Sequence, residues 1–410
     1  MRIDWRQQLG ILGTVAFANL SACNSPVRGS AAPTISIVPV PMATVPLPPS
    51  AYVVYVGVGD FSEDPKGSVL VYNFERGTGK LSLQQQLPIG RLATYLAVSP
   101  DKRTLYMADE ATTDLYCFRI DPNSGRLTKL CHATAKGNPV YLSVDATGET
   151  LLTTFYNQGH TEAFALRPDG SIGSSADLEW SGRRSHSIVL DRTSHFAFVP
   201  ALEDDWIAEF KFDSTTHQLT PNPPKSSAAA TPHAFTLPGI KGAGPRHFVF
   251  APSNEFGYLI NELNLTISTF RLNPITGQLA KVSEPVSTLA PGSAKPEAAA
   301  GADIQVHPTG RFLYGSNRMG DASSIALFSL DPQTGVPSFI ATTSTHGRTP
   351  RNFKLSPDGK HLLVANQDSK NLASFLIDEA SGELAFQGLS ELPEKPYFVG
   401  FLELETTRKH

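Results

Sequence analysis

The sequence predicts an all-β fold, a seven-bladed β-propeller of four-stranded antiparallel blades, on three observations. The first is a turn that recurs along the chain. It reads Glu75-Arg-Gly-Thr-Gly79, Asp121-Pro-Asn-Ser-Gly125, Asn273-Pro-Ile-Thr-Gly277, Asp331-Pro-Gln-Thr-Gly335 and Asp378-Glu-Ala-Ser-Gly382, with weaker copies at 167–170 and 213–217. The second is a matching turn, often Pro-rich, that opens each unit; measured at positions 100, 146, 192, 252, 308 and 357, its spacing is 46, 46, 60, 56 and 49 residues. A period of about 40–50 residues, with four short strands in each, marks a propeller. The third is composition: 32 Gly and 32 Pro suit many turns. The repeat region carries no convincing 3.6-residue apolar period, so helix should be scarce.

Residues 1–23 read as a targeting segment. Arg2 and Arg6 make a basic start, Leu9 to Leu20 an apolar stretch too short to span a bilayer, and Leu20-Ser21-Ala22-Cys23 follows directly. This resembles the bacterial lipoprotein signal, which implies lipidation at Cys23 and a chain exported to the bacterial cell envelope, facing the periplasm. An ordinary secretory signal with an incidental cysteine is the alternative. Residues 24–50 hold seven prolines and a single charge, Arg28. Such a composition cannot bury a core and reads as a tether.

Residues 51–404 form the propeller. The first unit offers strands at 52–56, 69–74 and 81–86 but none before Tyr52, while 397–402 has no partner after it. The ring should therefore close by pairing 397–402 with 52–56 as the innermost strand of that blade, which removes the open edges. Counting back from the turn at Asp121 places Cys117 and Cys131 roughly opposite each other on neighbouring strands. A bridge would suit an oxidising compartment, but two partly buried free thiols are the expectation, because sequence does not set register.

A formal charge of −4 with no Lys/Arg run leaves no footprint for nucleic acid or a membrane surface. The only membrane contact expected is the N-terminal lipid anchor, and a monomer is the expected state. No Cys-x-x-Cys, His-Glu-x-x-His, Gly-x-Ser-x-Gly or phosphate-loop pattern occurs. No metal or cofactor is expected.

Antiparallel order puts the start of each first strand and the end of each second strand on one face, opposite the turns. The polar residues there include Arg91, His186, Arg246, His247, Asp303, Arg351 and Asn352, and Glu110, Tyr156, Glu262, Arg318 and Gln367. Far apart in sequence, they should converge on one funnel at the axis. His195, His217 and His233 fall at outer or loop positions and read as solvated surface residues; His307 reads as a turn residue.

At these positions the chain resembles the lactonase family of seven-bladed propellers, known best for 6-phosphogluconolactonase and including the fungal carboxy-muconate lactonising enzyme. The matching stretches are Ser185-His186-Ser187, Gly244-Pro245-Arg246-His247, Asn261-Glu262-Leu263, Ala302-Asp303-Ile304, Ser316-Asn317-Arg318 and Pro350-Arg351-Asn352-Phe353. The resemblance implies His186, Arg246, Glu262 and Arg318 as catalytic groups, with His247, Asp303, Arg351 and Gln367 about the substrate. Its substrate would be a small lactone, anionic or a sugar acid. Opening a lactone needs an activated water and a cation or donor near the oxygen that gains charge. His186 or Glu262 would activate the water, and Arg246 and Arg318 would stabilise the oxyanion. Three arginines, offset by Glu262 and Asp303, would leave the funnel net positive. A non-catalytic envelope propeller, binding a small ligand or a protein, and a muconate-type lactonising enzyme are the alternatives. Rim loops at about 221–244 and 285–302 look longer than such a fold needs.

Overall fold

The computed structural model describes residues 52–222 and 242–404. Cys23, the Pro-rich tether and His233 lie outside these described residues. Twenty-eight of the strands group into seven sheets, each a run of four antiparallel neighbours. They form the blades of a propeller, and a 3-10 turn at Gly320–Ala322 is the sole helical element among the described residues. Blade one is Tyr52–Val58, Ser68–Glu75 and Lys80–Pro88, with Pro396–Glu403 as its innermost strand. Blades two to seven follow in chain order over 93–134, 139–180, 189–221, 245–287, 300–344 and 350–391.

Closure follows the expected pairing. Tyr52 faces Glu403, Val54 faces Phe401 and Val56 faces Val399, so the two ends of the described chain complete one sheet. Every innermost strand but one starts its blade in sequence; only blade one borrows it from the far end.

The recurring turn does its work between blades. Tyr55, Tyr106, Tyr258 and Tyr314, on second strands, donate their hydroxyls to the carbonyls of Gly125, Gly170, Gly335 and Gly382 in the next blade's turn, at 2.8–3.0 Å. At Gly125 φ is 70°, and a Cβ would meet Val53 at 2.7 Å; at Gly335 φ is 71°, and it would meet Phe256 at 2.4 Å. Only glycine combines that left-handed backbone with such close approach. Each blade joint also seals an apolar cluster, as with Phe198, Phe248, Phe250 and Phe270 between blades four and five.

Two expectations are corrected. Cys117 and Cys131 are direct cross-strand partners with Cα atoms 5.0 Å apart, and they form a disulfide in place of two free thiols. That separation is what a disulfide spans, and the register, invisible in sequence, supplies it. His217 is not fully solvated: half-buried, its Nδ1 meets the Thr150 hydroxyl at 2.8 Å, so it ties blade four to blade three. His195 is exposed, and His307 holds the turns of blades six and seven together through Thr309 and Gly359.

Candidate active site

In six innermost strands the register slips just after the first residues: between Ala93 and Tyr95, Pro139 and Tyr141, Pro245 and His247, Gly301 and Ile304, Pro350 and Asn352, and Pro396 and Phe398. A bulge re-aims side chains that would otherwise alternate. As a result Arg246 and its neighbour His247 meet each other, Nη1 to Nε2 at 3.1 Å.

The funnel centre is Glu262, at the end of the second strand of blade five. Its Oε2 lies 2.9 Å from Arg246 Nε and 3.0 Å from Arg318 Nη2. Arg246 is fully buried at 1% exposure and donates further to the Ala302 carbonyl; Arg318 donates to Gly301 O at 2.8 Å. Burial acts to raise the Glu262 pKa, but Arg318, then Arg246 and Arg351, outweigh it and bring it below its usual value. Burial, with Arg318 adding repulsion, lowers Arg246 to about 9, so it stays charged at neutral pH.

His247 and Asp303 form a second linked pair, Nδ1 to Oδ1 at 2.9 Å. Asp303 also accepts from Asn352 Nδ2 at 2.6 Å and from the backbone of Ile304 and Phe353. With Nδ1–H donated to Asp303, the His247 Nε2 lone pair is left to accept from Arg246. Burial, then Arg246, lowers His247 to about 4. Asp303 is also lowered: the His247 hydrogen bond leads the effects that overcome its burial.

His186 packs against His247 and Tyr156, ring centroids 5.2 and 5.4 Å apart. Its Nδ1 is buried with no hydrogen-bond partner among the described residues. Burial, then the Arg246 charge, pushes its pKa well below 6.5, so the imidazole is neutral. A neutral imidazole with an unused ring nitrogen is a proton acceptor.

Arg351 stands two blades from Arg246 and answers to different partners. It lies over the Tyr397 ring at 5.1 Å, and its Nη2 is 3.7 Å from Glu110. Gln367 Nε2 reaches Tyr397 Oη at 3.4 Å. The structure thus joins six of the eight expected residues in one network and sets Arg351 and Gln367 in an adjoining one.

The charge pairing differs from expectation. Asp303 pairs with His247, not with an arginine, and the second carboxylate among the guanidinium groups is Glu110. Burial raises the Glu110 pKa despite Arg351, and its Oε2 has no hydrogen-bond partner among the described residues. Its position was legible, because Glu110 follows its second strand as Glu262 follows its own. Sequence alone sets Glu110 and Tyr156 on the funnel face without giving them a role, and it does not place Tyr397 there. Among the described residues no three His, Cys, Asp or Glu side chains gather as a metal-binding group.

A family model described as lactonase, 7-bladed beta-propeller, matches residues 55–401. A protein named 6-phosphogluconolactonase from Enterobacter sp. (strain 638) is 30% identical over 322 residues, 78% of this chain and 92% of that one. Another of that name from Bacillus subtilis (strain 168) is 29% identical over 357 residues, 85% of this chain and 98% of that one. Among solved structures, the periplasmic gluconolactonase of Pseudomonas aeruginosa superposes with a TM-score of 0.76 at 27% identity, covering 87% of this chain and all of that one.

Proposed function

Because the chain belongs to the lactonase family of seven-bladed β-propellers, we propose that this lactone hydrolase opens an anionic sugar-acid lactone, with His186 activating water and Arg246 and Arg318 receiving the developing charge. The observation that carries the assignment of roles is the contrast between the two possible bases. Both groups are weakened as bases, but the Glu262 oxygen is occupied by two guanidinium groups, whereas the neutral His186 keeps a ring nitrogen with no hydrogen-bond partner among the described residues. Glu262 therefore positions the arginines, and His186 takes the proton.

The water oxygen attacks the lactone carbonyl carbon as its proton passes to His186. The carbonyl oxygen becomes an oxyanion beside Arg318 and Arg246, whose charges are fixed in place before the reaction. Collapse expels the ring oxygen, which takes the proton back from His186, leaving a hydroxy acid. Arg351 and Gln367 stand where they would hold the far end of the substrate, and His247 with Asp303 orients Arg246. Arg246, Arg318 and Arg351 are matched in number by Glu262, Glu110 and Asp303, so the choice of an anion rests on guanidinium donors, such as Arg318 Nε, left without a hydrogen-bond partner among the described residues, and not on net charge. The relatives named 6-phosphogluconolactonase support that choice. The relative named a gluconolactonase favours a neutral lactone as the second reading.

A pH-indicator assay over 6-phosphogluconolactone, gluconolactone and other sugar-acid lactones tests both. A higher kcat/KM for the phosphorylated lactone supports the anionic reading, and the reverse order supports the neutral one. Failure to hydrolyse any of them removes the proposal.

Export and lipidation at Cys23 are part of the same reading, supported by the Leu-Ser-Ala-Cys sequence and the periplasmic relative. No helix among the described residues is long and apolar enough to cross a membrane. Cys23→Ser should abolish incorporation of labelled fatty acid; equal labelling of the variant would reject the anchor.

A further inference from the structure

The innermost strands carry one more ring of side chains beyond the funnel, toward the turn face. At equivalent positions stand Ala97, Ser143, Val189, Val249, Gln305, Lys354 and Gly400. Five of the seven are small or short, so the ring leaves space where the funnel side fills it. A cavity of about 400 Å³ opens there beside the turn at Asp191 and reaches inward to Tyr141, His247 and Asp303. A second, of about 260 Å³, shares Ser143, Val144 and Lys354 with it and is closed by Tyr95, Phe398 and Phe401. A row of rings lies between the cavities and the funnel, with His247 and Asp303 as the shared wall of the larger one: Phe398 to Tyr95 at 4.8 Å, Tyr95 on Tyr141 at 4.0 Å, Tyr141 to His247 at 5.4 Å.

Lys354 is the one cation common to both cavities. Its Nζ donates to Gln305 Oε1 at 3.3 Å, and no carboxylate oxygen lies within ion-pair distance of it among the described residues. An ammonium has three donors, so two remain unspent. The carboxylates nearby are already satisfied: Asp303 by His247, Asn352 and two backbone groups, Asp191 by Thr193, Asn254 and the backbone of His195 and Phe196. Arg192 adds a second positive charge at the mouth. The rest of the wall is mixed: Val144, Val189, Leu190, Val249 and Ile304 form an apolar strip beside the hydroxyls of Ser143 and Ser194.

We infer that the turn face of the axis holds a second binding site, backing onto the funnel through His247 and Asp303, for a short-chain aliphatic carboxylate whose headgroup sits on Lys354 and Gln305. The carboxylate supplies the acceptor that Lys354 lacks, and the alkyl body covers the valine and leucine wall. Its volume suits a ligand of this size. Binding here needs no lactone and stands or falls apart from the proposed hydrolysis.

Hexanoate is the probe, titrated by calorimetry into the protein comprising the propeller and its tether, with hexanol as the uncharged control. Saturable hexanoate binding in the millimolar range or tighter is expected, with hexanol at least about tenfold weaker. Lys354→Gln should weaken hexanoate by at least about tenfold. Val249→Phe, which fills the cavity without touching a charge, should abolish binding while the circular dichroism spectrum stays parental; it keeps the question answerable if Lys354→Gln folds poorly. Arg351→Gln, in the funnel, should bind hexanoate as the parent does. Absence of saturable binding, parental affinity in folded Lys354→Gln or Val249→Phe, or loss in Arg351→Gln alone would overturn the site.

Discussion

Arg246 Nε lies 2.9 Å from Glu262 Oε2, and both side chains are almost wholly buried. The pair therefore shapes both the chemistry and the stability of the axis. Arg246→Ala should cut kcat/KM on the best lactone by about 100-fold or more and also lower stability by ~3–5 kcal/mol, since it strands buried partners. Arg318 reaches the same oxygen with 18% of its side chain exposed. Arg318→Ala should thus lose a similar rate at about 1 kcal/mol of stability. Kinetics paired with urea melts on both variants separate the effects, and a near-parental rate in Arg318→Ala would leave the arginines purely structural.

His186 should govern kcat more than KM. His186→Asn is expected to lower kcat by ~10²–10⁴-fold with KM changed little. Because burial and Arg246 hold the His186 pKa well below 6.5, the base stays deprotonated through neutral pH and is lost only as pH falls through its lowered value. The kcat profile should be flat across 6.5 and decline below it. A break at 6.5 or above would point to another base.

Glu209 lies buried between blades four and five, with Oε1 accepting the Leu279 N–H at 3.1 Å and Oε2 unpartnered among the described residues. Burial raises its pKa from 4.5 to about 8. A carboxyl raised in the folded state contributes stability that is complete below pH 4.5 and is lost as pH rises toward 8. Glu209→Gln removes the ionisation and should be more stable than the parent above pH 8 by a few kcal/mol. Equal pH dependence of melting in parent and variant would contradict this.

Removing residues from 396 onward deletes the strand that Tyr52–Val58 pairs with and opens the ring. The exposed edge and the lost contacts of Val399 and Leu402 should cost several kcal/mol and promote aggregation. Thermal melting with light scattering measures both; parental melting would refute the closure.

The Cys117–Cys131 bridge closes a loop of 14 residues. Cys117→Ala with Cys131→Ala should lower stability by about 3 kcal/mol through the unfolded state. Thiol titration of the unreduced, denatured chain should find neither cysteine free, and recovery of both thiols would restore the free-thiol expectation.

What the sequence determined by itself is whatever repeats locally. The turn glycines and opening prolines encode seven blades, because each turn needs its own backbone conformation wherever it sits. The missing strand before Tyr52 encodes the closure, since an unpaired edge must find a partner. Strand polarity alone placed His186, Arg246, Glu262 and Arg318 on one face. Tertiary structure decided the pairings. Whether Asp303 serves an arginine or His247 depends on the bulges that re-aim adjacent side chains, and the bulges leave no residue pattern of their own. The same holds for the Cys117–Cys131 register, which one residue of slip would break, and for Glu110, whose partner Arg351 lies five blades further along the chain. The cavity at Lys354 is a sum of seven small choices on seven strands, none of them a motif. Such features belong to distances across the axis, and those exist only once the ring has closed.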